Sequence, residues 1–306
     1  MLYVIAEHRV RITFAESYTG KVMLPSFQSF MIEDDGNDAL LSLHVDDSLR
    51  PLRKEERRLI RDVDTGNGMT KVFRHERTTV AENGTDEVEK CGYQFIISDI
   101  DGRECALLIT DEEFRHCECA LAGNYGMRYY GLNSCIMLCY AFSTAPFDTA
   151  LIHASLVRHE GRGYAFTAKS GTGKSTQVSN WLRYIPDCDL MNDDNPILRI
   201  IDGQAFIYGS PWSGKTPCYR NVKAPLGGIA MIKRAQTNSI VRLKPIEGFV
   251  MLLPACSTMK WDERIYRANG DLVSKILETT PVYDLHCLPD RDSAVVASEG
   301  MKKYWE

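Results

Sequence analysis

The chain has 306 residues, 44% hydrophobic and 25% charged, the balance of an ordinary globular protein long enough for two domains. A net charge of -5 supplies no basic field, which excludes a general nucleic-acid or membrane-surface binder. Met1 to Val10 lacks the charged start and long apolar core of a secretion signal, and the best apolar run, Leu132 to Ala145, is too short for a bilayer; a cytoplasmic chain is expected.

Residues 1 to about 50 carry short β-type runs at Leu2 to Ile5, Val10 to Phe14 and Leu40 to Val45. The charged stretch that follows predicts a short helix over Arg53 to Arg61, then loops or hairpin turns at Asp62 to Gly68 and Ala81 to Glu89. Phe95 to Ser98 and Cys105 to Ile109 flank Asp101-Gly102, a hairpin signal. Ten cysteines without framework spacing are expected as thiols; His116, Cys117 and Cys119 cluster locally, with Cys117 and Cys119 on one strand face, but no second ligand pair at zinc spacing accompanies them. No motif in this β-rich half carries chemistry.

Leu132 to Ala145 reads as a buried helix, and beyond it the pattern changes. Strands are expected at Leu151 to Val157 and Gly163 to Ala168, then a helix through Trp181 and Leu182, then a short strand at Cys188 to Met191 ending in Asn192-Asp193-Asp194. Ile197 to Ile201 and Gln204 to Tyr208 form a hairpin about Asp202-Gly203, and Gly228 to Ile232 is a further strand. Helices over Ile246 to Cys256 and Asp262 to Glu278, a strand at Val282 to Cys287 and a helix over about Asp292 to Tyr304 complete the chain. Strands alternating with helices predict an α/β domain, with a mixed sheet because hairpins interrupt it.

The stretch from Ala168 to Thr176 places SGTGKST between a strand and a helix. Converging backbone N–H groups can hold a phosphate there, and Gly171 and Gly173 permit the backbone angles and the close approach. Ser170, Thr172 and Thr176 complete the loop, and the helix start adds its free amides and positive end. Lys174 can reach the β- and γ-phosphates of a nucleotide, and the Ser175 hydroxyl is placed for Mg²⁺. Ala168 stands where the strict pattern has its first glycine. A second stretch, GSPWSGKT with Gly209, Gly214, Lys215 and Thr216, fits that pattern letter for letter. Pro211 and Pro217 remove donors from it and no long helix follows, so it reads as an active-site loop or structural turn, with Lys215 contacting phosphate or substrate.

Asp193 and Asp194 follow the loop helix at a strand end, where an acid completes the Mg²⁺ site of a phosphate-loop protein. One acid can hold the metal, for which Asp194 is assigned, while the other takes the proton of an attacking hydroxyl. His153 lies in the strand before the loop strand.

These residues, His153-Ala154-Ser155-Leu156-Val157, then SGTGKST, then Leu190-Met191-Asn192-Asp193-Asp194, resemble the catalytic domain of HPr kinase/phosphorylase and its relatives over roughly residues 150 to 235. That fold is similar to the nucleotide core of ATP-dependent phosphoenolpyruvate carboxykinase. The resemblance implies that His153 is the histidine before the loop, that Asp193 and Asp194 are base and metal partner, and that Lys174 and Ser175 bind phosphate and Mg²⁺. Arg220 to Ile229 loosely resembles the segment before the family's glycine-bearing strand, which makes Arg220 a further substrate or phosphate contact. Asn221 stands nearest the family's metal-binding glutamate.

The expectation is thus an N-terminal β-rich domain, 1–130, for substrate recruitment or a lid, and a mixed-sheet α/β phosphate-loop kinase core, 131–306. It would use ATP and Mg²⁺ to phosphorylate a hydroxyl, serine first, of a protein, peptide or small molecule. The alternative is a nucleotide-binding or ATP-hydrolysing regulatory module. Nucleotide and acceptor are the expected partners, without nucleic acid or membrane, and the family tends towards homo-oligomers.

Overall fold

The structure, a computed structural model, describes residues 1–15, 23–80, 86–169 and 171–305. It is a mixed α/β protein with two mixed sheets, one in each of two units, Met1–Ser143 and Thr144–Glu306. The division falls at 143/144 rather than at 130/131, because the apolar helix expected to open the second domain packs within the first unit.

The first unit contains β1 (Leu2–Ile5), β2 (His8–Phe14), β3 (Met31–Ile32), β4 (Leu41–Val45), β5 (Arg57–Asp64), β6 (Gly68–Val80), β7 (Asp86–Asp99), β8 (Glu104–Thr110) and β9 (His116–Leu121). They form one sheet in the order β3-β1-β2-β4-β9-β8-β7-β6-β5. Alternation along β2, β4 and β9 turns Val10, Ile12, Leu41, Leu43, Val45, Cys117 and Cys119 inward. Helix α1 (Tyr125–Thr144) packs in this unit, where its buried Tyr140 hydroxyl donates to the Ile5 carbonyl at 3.0 Å. Arg53 to Arg61 is not a helix. After one 3-10 turn at Lys54–Glu56 the chain enters β5, and pairing along β6 overrides the local helical pattern, with Arg58 bonded to Glu76 at 2.8 Å. Of the turn expected at Ala81 to Glu89, 81–85 lie outside the described residues, and Asp86 already opens β7.

The cysteine cluster is completed in an unforeseen way. Cys117 and Cys119 meet Cys139 and Cys135 of α1, one helical turn apart, while His116 faces outward. Burial pushes the thiols of Cys117, Cys135 and Cys139 up, so they are protonated core side chains. Among the described residues, no group of three or more His, Cys, Asp or Glu is arranged to hold a metal, and no helix is long and apolar enough to cross a membrane.

In the second unit the expected strand Leu151 to Val157 is two strands, β10 (Thr149–Leu151) and β11 (Ala154–His159). They are followed by β12 (Arg162–Thr167), helix α2 (Lys174–Tyr184), β13 (Cys188–Asp194), β14 (Ile197–Ile201), β15 (Gln204–Tyr208), β16 (Lys223–Arg234) and β17 (Ser239–Arg242). Helices α3 (Pro245–Leu252) and α4 (Glu263–Thr279), β18 (Val282–Cys287) and helix α5 (Arg291–Lys302) close the chain. The sheet runs β10-β14-β15-β16-β12-β11-β13, and β18 joins β16 with β17 beside it. Pairings β12–β16 and β16–β18 are parallel; β11 is antiparallel to both β12 and β13.

Period-2 alternation gives this sheet two apolar faces. Leu156, Ala165 and Ile229 join Leu272, Val273 and Ile276 of α4 in one core. Val157, Phe166 and Ala230 join Val178 and Trp181 of α2 and Ala294, Ala297 and Met301 of α5 in the other. A polar seam ties α2 to α5: the Ser293 hydroxyl donates to Gln177 at 2.9 Å, Gln177 donates to the Ser293 carbonyl at 3.1 Å, and Asn180 donates to the Asp290 carbonyl at 2.7 Å. Trp181 is fully buried against Tyr164, Phe166 and His159. Replacing it by alanine removes a large side chain from a closed core, and Trp181→Ala should cost about 3–5 kcal/mol in urea unfolding; a loss under about 1 kcal/mol would mean the helix is not seated there.

Candidate functional site

Strand β11 lies between the two strands whose ends carry the candidate residues. Its first residue, Ala154, pairs with Thr167 at the end of β12 on one side and with Asp194 at the end of β13 on the other. The register therefore sets the glycine loop after β12, the acids of β13, and His153 side by side at one sheet edge. The His153 backbone is fixed from both directions: its N–H donates to the Ala255 carbonyl at 2.8 Å, and its carbonyl accepts from the Thr167 hydroxyl at 3.0 Å.

Residues 168–173 connect β12 to α2. Gly171 at φ +74° and Gly173 at φ +132° take angles that penalise a Cβ, although open space surrounds both, so backbone conformation rather than crowding requires glycine. The Thr172 N–H closes onto the Lys169 carbonyl at 3.1 Å, and the first helical bond runs from Gln177 N–H to the Gly173 carbonyl at 2.9 Å. Lys174 opens the helix and is half-buried, while Ser175 and Thr176 are exposed on its first turn. Ser170 lies outside the described residues.

Lys174, His153 and Asp194 stand in one line, hydrogen-bonded from lysine to ring and in ion-pair range from ring to carboxylate. Lys174 Nζ stands 2.6 Å from His153 Nε2, and His153 Nδ1 stands 3.3 Å from Asp194 Oδ1. An ammonium only donates, so Nε2 accepts from it and the ring proton sits on Nδ1, facing the carboxylate. Partial burial pushes the imidazole below its ordinary value; the Lys174 charge lowers it further and Asp194 opposes both. Burial also lowers Lys174, against the pull of Asp194 and Asp193. The line therefore reads cation, neutral ring, carboxylate.

The two aspartates have different surroundings. Asp193 is buried, taking the Ser155 hydroxyl on Oδ1 at 2.6 Å and the Thr216 N–H on Oδ2 at 3.3 Å. Asp194 is partly exposed, shared between His153 and the Asn195 amide at 2.7 Å, and its φ is +128°. Strand β13 runs through both acids instead of stopping before them, because β11 continues to pair with it.

The GSPWSGKT stretch forms no phosphate loop: no helix follows it, and its amides are used on the acids. Gly214 N–H and the Ser213 hydroxyl, the latter at 3.0 Å, donate to the Asp193 carbonyl. A Cβ on Gly214 would lie 3.2 Å from that of Asp194, so any larger residue would press on the acid's strand. Asn192, fully buried, ties the loop down by donating to the Trp212 carbonyl at 3.0 Å and the Ser210 hydroxyl at 3.2 Å. Lys215, at the exposed tip between two residues that touch the acids, makes no ion pair or hydrogen bond among the described residues. Arg220 is engaged elsewhere: it donates to the Leu190 carbonyl and to Asp189 at 2.6 Å, beside Arg158 on the same carboxylate. Asn221 is exposed.

The sequence by itself assigns no role to Ser155, Asn192, Ser213 or Arg234. Period 2 along β11 and β13 puts Ser155 opposite Asp193, a signal available once the strands are paired. Arg234 ends β16, the parallel neighbour of β12, and sites of α/β sheets gather at the C-terminal ends of such strands.

No family model matches the chain, and no curated protein does. Among solved structures, the Hpr(Ser) kinase/phosphatase from Coxiella burnetii is similar over 51% of this chain and 90% of that one, at 9% identity and a TM-score of 0.32. A likeness that slight carries no inference about chemistry.

The charge line predicts opposite responses of one imidazole. Lys174→Met should raise the His153 midpoint in an NMR titration of its ring protons, and Asp194→Asn should lower it, since the first variant removes a cation and the second an anion. A midpoint that ignores both changes would mean the line does not form in solution.

Proposed function

We propose that this chain is an ATP-dependent phosphotransferase of the HPr kinase-like kind, moving the γ-phosphoryl group to a hydroxyl, serine first, of a protein, peptide or small molecule. What carries the reading is the line from the glycine loop to a carboxylate: Lys174 at the head of α2, His153 between, and Asp194 opposite. A loop with free amides at a helix start binds polyphosphate, and a carboxylate facing it belongs to the chemistry of transfer.

In this reading the amides of Gly173, Lys174, Ser175 and Thr176 hold the phosphates. Lys174 swings its flexible stem from the imidazole to the phosphate oxygens, where its charge stabilises the transferred group. Asp194 and the Ser175 hydroxyl are hard oxygen donors that fit Mg²⁺ completed by phosphate oxygens and water, the usual way that ion is held beside a nucleotide. When bound, the ion neutralises charge on the phosphates. Asp193 orients the acceptor hydroxyl and takes its proton: Ser155 and Thr216 fix its plane, and each oxygen keeps a lone pair beyond the one already used. Lys215 sits on the acceptor side, on the loop that Asn192 anchors.

Lys174→Ala should abolish the thermal stabilisation given by ATP with Mg²⁺ while leaving the unliganded midpoint near wild type. Asp193→Asn should keep nucleotide affinity within a few-fold but lower transfer from γ-labelled ATP by about 10²-fold or more. Label released as phosphate whatever hydroxyl compounds are present would favour a hydrolysing switch. Stabilisation lost in Lys215→Ala but kept in Lys174→Ala would overturn the choice of loop.

A further inference from the structure

One cation at the glycine loop is used neither by the sequence pattern nor by the mechanism above. Arg234 projects from the end of β16, the strand parallel to β12, and its guanidinium spans two successive carbonyls of the loop. Nε donates to the Thr172 carbonyl at 3.1 Å, and Nη2 donates to the Gly171 carbonyl. It forms no ion pair among the described residues, so no acid neutralises its charge. The neighbouring Lys233, by contrast, is paired with Asp284.

Across a trans peptide the carbonyl of one residue and the N–H of the next point in opposite directions. Drawing the Thr172 carbonyl to Arg234 therefore turns the Gly173 N–H away from the guanidinium, to the other side of the loop. Drawing the Gly171 carbonyl outward likewise turns the Thr172 N–H away, where it meets the Lys169 carbonyl and closes the turn. Both glycines flanking Thr172 leave those peptide planes free to rotate; the Lys169 carbonyl holds the first from within the loop, and Arg234 holds both from outside it. The planar, forked guanidinium suits two acceptors at fixed spacing, which a lysine ammonium does not span.

We infer that Arg234 is a positioning residue: it clamps the two peptide planes so that the turn stays closed and the Gly173 amide, with those that open α2, faces a polyphosphate before the ligand arrives. Preorganised donors are worth more than donors that must turn on binding, because the ordering is done in advance. The inference rests on the phosphate-loop reading for its ligand, but the clamp itself is a property of the unliganded chain.

The test uses the full chain and two variants, Arg234→Ala and Arg234→Lys. In hydrogen exchange without nucleotide, peptides covering 168–176 should exchange several-fold faster in both Arg234 variants, with the rest of the chain and the thermal midpoint unchanged. Calorimetry with ADP and Mg²⁺ should give a Kd about tenfold weaker in both, and millimolar guanidinium chloride should restore affinity to Arg234→Ala but not to Arg234→Lys. Affinity retained in Arg234→Lys would mean that charge alone matters and would overturn the clamp. So would unchanged exchange in the loop, or a fall in thermal midpoint together with affinity that guanidinium does not rescue. A wild-type chain that binds neither ADP nor ATP sinks the phosphate-loop reading instead, and the exchange arm still decides the clamp.

Discussion

The site depends on one register. Ala154 is paired on both flanks, with Thr167 and with Asp194, and neighbouring strands lie about 4.8 Å apart. Those two pairings bring a loop from one strand and a pair of acids from another, nearly thirty positions on in the chain, to the two sides of one histidine. A slip of one residue between β11 and β13 would turn Asp193 and Asp194 to each other's faces. The shift in register between Leu156 and Val157 along β13 keeps Ser155 opposite Asp193 at the working end while letting the far end pair differently. The cores on the two faces of the sheet hold that register: slipping it would drive Leu156 and Val157, both fully buried, into each other's core.

Electrostatically the site is an alternation of charge through a neutral ring. The imidazole accepts from a cation on one nitrogen and faces an anion with the other, which fixes its tautomer and its plane. Each neighbour depends on it. Without the ring, among the described residues Lys174 would have only the Ala168 carbonyl, at 3.4 Å, and the Asp194 side chain would keep only the Asn195 amide. Asp193 takes no part in the line. Its oxygens meet neutral donors, and its backbone carbonyl is the seat of the Gly214 loop. Adjacent acids of like sequence thus have separate surroundings, because alternation along a strand sends one inward and the next outward.

Much of the second unit was legible in the sequence because its signals are local. Glycines before a lysine at a helix start, Asp202-Gly203 between apolar runs, and the 3.6-residue period of α4 need no knowledge of the rest of the chain. What was illegible was set at a distance. Arg53 to Arg61 has a helical composition, yet β6 offers it a full ladder of partners. The end of β13 has the composition of a turn, yet β11 carries it on as a strand. The letters of GSPWSGKT promise an anion cradle, and only the pairing of its amides with Asp193 shows their actual use. The thiol pairs of Cys117 and Cys119 with Cys139 and Cys135 likewise join a strand to a helix, which no spacing along the chain reveals.

Asp194 occupies a backbone angle where glycine would sit at ease and where an L-side chain costs about 1–3 kcal/mol. A chain built only to endure would place glycine there. Carrying an acid at that point makes the molecule a little easier to melt, and in return sets a negative charge beside a ring that is already aimed. Firmness of the fold and readiness of the carboxylate are thus opposed at one α-carbon.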